Sequence, residues 1–138
     1  MCLETGMKYA AITDKDIICY KCVNPGEING LHLHEFGSFY SFYYHFTYEV
    51  GKEYEEKKFK NRPEKDIFGR RRFVNNGFHS FKYLRDARIE CSSYSIILKC
   101  VIPAGSRYFY GIYNFLYNTY CSDKLKIVAW RTRDGKWN

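Results

Sequence analysis

The chain has 138 residues, the size of one domain (residues 1–138) that buries about two-thirds of its unfolded surface. Hydrophobic residues make up 46% and charged residues 27%, which excludes a disordered chain, and no apolar run reaches the ~18 residues of a membrane-spanning helix. Lys and Arg number 22 against 15 Asp and Glu, a net charge of +7, and a fifth of the residues are aromatic.

In chain order, Met1 to Tyr9 has no clear periodicity, and its apolar Cys2-Leu3 start is expected to pack. Thr13 and Asp14 predict a turn. Asp16 to Val23 predicts a strand, with Ile17, Cys19 and Lys21 alternating against Ile18, Tyr20 and Cys22. Asn24-Pro25-Gly26 is a turn signal. Leu31 to Val50 is too rich in Phe, Tyr and Thr to favour a helix, and Gly37-Ser38 divides it into two strands or a bulged one. Lys52 to Lys65 is charged and broken at Arg62-Pro63, a surface loop with at most one helical turn. Asn75-Asn76-Gly77 predicts a turn and Phe78 to Phe81 a short strand. A short helix follows, with Ser80 as its N-cap and Leu84, Ala87 and Arg88 at helical spacing.

The clearest element is Ile96 to Ile102. Ile96, Leu98, Cys100 and Ile102 share one face of an extended segment, and the other face is only partly polar, as in a central strand. Pro103-Ala104-Gly105 stops it with turn chemistry, and a second strand leaves at Arg107. Ile112 to Cys121 is aromatic and extended. Asp123 to Trp130 predicts a last strand and Arg131 to Asn138 a basic tail. The sum is an α+β domain, mostly antiparallel β-sheet with one short helix.

The candidate chemistry is sparse. Cys19 and Cys22 with His32 and His34 supply two thiols and two imidazoles, the ligand types of a structural zinc, but residues three apart on a strand face opposite ways, so no metal is expected. No basic segment followed by an apolar run marks the N-terminus, so the six cysteines are expected in an intracellular protein as reduced thiols. His79 beside Ser80 is the one neighbouring base and hydroxyl, although adjacent strand residues face apart. Arg70-Arg71-Arg72, flanked by Phe68 and Phe73, is the best binding patch, and Arg107, Tyr108 and Tyr110 add residue types that anchor interfaces. Basic and aromatic residues together also suit single-stranded nucleic acid, and an AT-rich coding sequence enriches Phe, Tyr and Lys by itself.

Several short motifs resemble a group of small uncharacterised proteins of bacteriophages and mobile elements. They include the Asp16-Ile-Ile-Cys-Tyr-Lys strand, Tyr48-Glu-Val-Gly-Lys, Gly77-Phe-His-Ser-Phe, Lys99-Cys-Val-Ile-Pro-Ala-Gly-Ser-Arg-Tyr and Ser122-Asp-Lys-Leu-Lys-Ile. This resemblance implies a setting, the bacterial host cytoplasm or a virion. Tyr20, Gly77 to Phe81 and Ile102 to Gly105 also resemble parts of the ADP-ribosyltransferase fold. That second resemblance implies an NAD site using His79, Ser80 and Asp123. Asp123 stands where that family places a glutamate, one methylene longer, so little or no transfer activity is expected. The leading expectation is a non-enzymatic accessory protein without a cofactor. It contacts a protein, either a virion component or a host-defence factor, or assembles with itself. Nucleic acid is the alternative partner, and no membrane is expected.

Overall fold

The computed structural model describes residues 3–25, 27–28, 31–32, 38–41, 47–91 and 95–138. Among the described residues about half are strand and 6% are helix, so the described fold is an antiparallel β-domain carrying one helix rather than a balanced α+β domain. The strands are β1 (Leu3–Thr5), β2 (Ala11–Ile12), β3 (Ile17–Pro25), β4 (Glu27–Ile28), β5 (Leu31–His32), β6 (Ser38–Ser41), β7 (Thr47–Glu49), β8 (Glu53–Glu55), β9 (Glu64–Lys65), β10 (Arg72–Val74), β11 (Phe78–Phe81), β12 (Ile96–Ile102), β13 (Arg107–Tyr113), β14 (Tyr117–Ser122) and β15 (Lys124–Thr132), with α1 (Leu84–Glu90) between β11 and β12. The main sheet runs β8-β15-β12-β3-β11-β14-β13-β1-β10-β9, with β2 beside β13 and β6 beside β3.

The segment Ile96 to Ile102 is central, as its two-sided apolar pattern predicts. It pairs with β3 from Ile96↔Val23 to Ile102↔Ile17, and with β15 on its other edge. One face of the sheet buries Cys19, Val23, Leu98, Cys100, Leu125 and Ile127 under Tyr48. On the opposite face, α1 sets Ala87 against Ile97, Phe81 and Tyr117, and a third cluster joins Leu3, Phe59, Val74, Phe109 and Cys121. At roughly 1.5–3 kcal/mol per fully buried large apolar side chain, these clusters dominate the folding free energy.

Several elements differ in detail from the sequence pattern. Leu3 is fully buried, as expected of the apolar start, and residues 3–5, too few to show a period, form β1 between β13 and β10. Gly111 permits that insertion, because a Cβ there would lie 2.0 Å from the Glu4 carbonyl oxygen. The charged Lys52–Lys65 stretch contains β8 and β9, whose exposed charges suit edge strands. Ile112 to Cys121 is a hairpin rather than one extended run. Asn114 and Phe115 take φ of 53° and 60°, and the Leu116 amide donates to the Tyr113 carbonyl at 3.2 Å, as in a type I′ turn. Ser80 belongs to β11, and α1 starts after Tyr83 without a side-chain cap. The expected basic tail first extends β15 to Thr132, then folds back, with the Asn138 amide donating to the Trp130 carbonyl at 2.8 Å. Of the Leu31–Val50 segment, residues 33–37 and 42–46 lie outside the described residues. Within the described part, β6 begins at Ser38.

The thiols also differ from expectation. Cys22 on β3 and Cys91 at the end of α1 form a disulfide with Cα atoms 5.6 Å apart, while Cys19, Cys100 and Cys121 are buried.

Candidate binding groove

The groove forms where β1 is wedged between β10 and β13. The register Thr5↔Arg72 and Glu4↔Phe73 sets β10 beside β1, and Glu4↔Ile112 sets β13 on its other side. The loop entering β10 is fixed by one carboxylate. Asp66 accepts from the Arg70 amide at 2.8 Å, its own amide donates to the Arg71 carbonyl at 3.0 Å, and Gly69 turns the chain at φ 66°. This local bonding holds Arg70, Arg71 and Arg72 in place. They line an open groove of about 670 Å³ with Glu4, Tyr110 and Phe115.

Arg71 pairs with Glu4 at 3.8 Å, and the Arg70 guanidinium lies 5.7 Å from the Phe68 ring centroid. Tyr110 is held by its backbone: its carbonyl accepts from the Thr5 hydroxyl at 2.8 Å, and its amide donates to the Met7 sulfur at 3.1 Å. Phe115 stands 77% exposed at the hairpin tip, beside Leu116 at 73%. Cations, an amphipathic ring and exposed apolar side chains therefore converge on one concave surface, the composition of an interface anchor.

Arg107 and Tyr108 are placed elsewhere. Arg107 donates to Asp123 from Nε at 3.0 Å and from its amide at 2.9 Å, donates to Asn61 at 2.8 Å, and covers the Phe59 ring. It ties β13 to the end of β14. Tyr108 is half-buried and packs edge-on against Tyr120, with ring centroids 6.1 Å apart.

His79, Ser80 and Asp123 have separate surroundings. The His79 ring is 4% exposed and its Nε2–H donates to the Val74 carbonyl at 3.1 Å. Burial and the nearby Lys21 charge push its pKa down to about 4, so it is neutral at pH 7. Ser80, next along the strand, turns to the opposite face, where its hydroxyl is fully buried without a hydrogen-bond partner. Asp123 is committed to Arg107. The zinc set is not assembled from the two cysteines. Cys22 is consumed by the disulfide and Cys19 is buried on the other face. His34 lies outside the described residues and His32 is described only in its backbone. Among the described residues no cluster of three or more His, Cys, Asp or Glu side chains is arranged to hold a metal.

Two features were not singled out from the sequence. Lys21 is 8% exposed. It shares the Cys19–Val23 face, donates to the His79 carbonyl and lies 5.7 Å from the Tyr48 ring centroid. Burial lowers its pKa. The only sequence signal was its period-2 spacing from two apolar residues. Beside the groove, a second concavity of about 290 Å³ is lined by Lys8, Tyr9, Arg62, Pro63, Lys65 and Arg72, which come from three separate stretches of chain.

The chain matches no protein-family model, no curated protein and no solved structure. Among the described residues no helix is long and apolar enough to cross a membrane.

Proposed function

We propose that this chain is a non-enzymatic binding protein of bacteriophage type, acting in the bacterial host or in the virion, and that the groove between β10 and β13 takes an acidic segment of a partner protein. The observation that carries this reading is the convergence of Arg70, Arg71 and Arg72 with Tyr110 and Phe115 on one groove of about 670 Å³. Arginine forks match carboxylates in two-point geometry. The exposed Phe115 and Leu116 offer the partner apolar area that a phosphodiester backbone alone would not use. The separate commitments of His79 to the Val74 carbonyl and of Asp123 to Arg107, with Ser80 fully buried, support a role without catalysis.

The test is affinity capture from host lysate with the wild-type protein and with Arg70→Ala/Arg71→Ala/Arg72→Ala, followed by cross-linking to locate the contact. The expected result is a partner whose cross-linked segment is acidic and whose recovery falls at least tenfold with the triple variant, about 1.4 kcal/mol or more. Equal recovery by a folded triple variant would remove the groove from the account.

A further inference from the structure

The second concavity carries a problem of charge that the rest of the edge does not share. Lys65 and Arg72 are directly opposed in the β9–β10 ladder, and like charges in that position weaken strand pairing. Lys8 and Arg62 complete the wall. The neighbouring carboxylates are directed elsewhere: Glu4 to Arg71 at 3.8 Å, Glu64 to Lys60 at 3.8 Å and to Asn75, and Asp66 to the Arg70 amide. Among the described residues none of Lys8, Arg62, Lys65 and Arg72 has a carboxylate within ion-pair distance. Four cations therefore face one another around a small hollow, with no carboxylate among the described residues that line it.

The hollow is also held open. The Ala10 amide donates to the Asn61 carbonyl at 2.8 Å, clamping the turn after β1 to the loop before β9. The Arg62 guanidinium lies 5.2 Å from the Tyr9 ring centroid, which limits its freedom. A volume of about 290 Å³ sits at the lower end of small-ligand pockets, enough for a compact group and too little for a folded segment.

We propose that this pocket binds a compact phosphate oxyanion, either inorganic pyrophosphate or the phosphate end of a small phosphorylated ligand. Two arginines supply forked donors and two lysines supply point charges, the usual equipment for phosphate. A bound oxyanion would sit between Lys65 and Arg72 and turn their repulsion into a shared contact. This site goes beyond the partner groove and is separable from it, because Lys8, Arg62 and Lys65 do not line that groove.

The test is thermal unfolding and calorimetry of the full chain with sodium pyrophosphate, against sodium chloride at equal ionic strength. Pyrophosphate is expected to raise the melting temperature with the logarithm of its concentration, and chloride is not. Lys65→Gln should melt at or above the wild type without ligand, since it removes the opposed charge, and should bind pyrophosphate about tenfold more weakly. Arg62→Gln should show the same loss, whereas Arg70→Ala/Arg71→Ala should bind pyrophosphate like the wild type while losing the protein partner. A second arm uses the oligonucleotide dT12. Binding of dT12 that depends on Lys65, with no response to pyrophosphate, would overturn the proposal in favour of a strand backbone. Equal shifts from pyrophosphate and chloride, or an undiminished pyrophosphate response in both Gln variants, would overturn it outright.

Discussion

Phe115 holds a left-handed backbone conformation at φ 60° with its ring 77% exposed. A side chain in that region costs about 1–2 kcal/mol relative to the right-handed one, and glycine avoids most of that cost. Phe115→Gly should therefore leave stability unchanged or raise it by up to about 1 kcal/mol, measured by urea unfolding, while weakening partner capture. Lower stability with undiminished capture would mean that the ring packs on its own chain rather than on a partner. Lys21 and His79 act on stability through protons. His79 has its pKa lowered to about 4 by burial first and by Lys21 second, against about 6.5 in the unfolded chain. The unfolded state binds the proton first, so stability is full above about pH 6.5 and declines as pH falls towards 4, by about 3 kcal/mol over the window. Replacing the imidazole in His79→Asn should flatten that part of the stability–pH curve measured by urea unfolding. A curve of unchanged slope would place the acid sensitivity in other groups. For Lys21 the pKa is also lowered by burial. Stability rises with pH until the unfolded lysine has titrated, and Lys21→Met should abolish that alkaline gain.

The disulfide between β3 and the end of α1 closes 69 residues of sequence separation. A cross-link of that span restricts the unfolded chain by about 4 kcal/mol in the chain-entropy account, so Cys22→Ser/Cys91→Ser should lose about 2–4 kcal/mol in urea unfolding. Equal midpoints for the double variant and the oxidised wild type would show that α1 is held by the Ala87–Ile97 packing alone. Gly111 is the other element-scale hinge point. A Cβ there meets the β1 backbone, so Gly111→Ala should cost about 2–3 kcal/mol and open the groove by displacing β1, read as lost stability together with lost partner capture.

Elements were legible from the sequence where their length exceeded their period. The central strand, its partner over Ile17–Val23 and the Pro103–Gly105 turn were readable because several alternating residues and a proline–glycine stop agree. Three-residue strands such as β1 and β8 carry no period, and the Asn114-Phe115 turn lacks the glycine that usually marks it. The pairing of Cys22 with Cys91 was not readable either, because it depends on α1 crossing β3.

Across the whole molecule the charge of +7 is not spread evenly. Arg62, Lys65, Arg70, Arg71 and Arg72 gather on the β9–β10 edge with Lys8 beside them. Partner association through this edge should therefore slow as salt rises, most steeply below about 0.15 M where screening is weak. Stopped-flow association rates that stay constant from low to high salt would assign recognition to the apolar tip instead. The arginine triplet was visible in the sequence as a run, and Tyr110 as an interface-type residue. Their meeting at one groove was not, because it needs β1 between β10 and β13. Lys8 and Tyr9 had no signal at all, being an isolated cation and ring in an aperiodic stretch.

The sheet order has a consequence for synthesis. β3 lies between β11 and β12, and β1 between β10 and β13, so neither early strand has its main-sheet neighbours when it leaves the ribosome. Cys22 emerges 69 residues ahead of Cys91, roughly 3–14 s at about 5–20 residues per second. For that interval the nascent chain carries an apolar strand whose long β12 edge is bare, with only β6 and then β11 available to pair with it, and an unpartnered thiol. The exposed interval, and with it the chance of misassembly, is therefore set by strand order rather than by the stability of the finished domain.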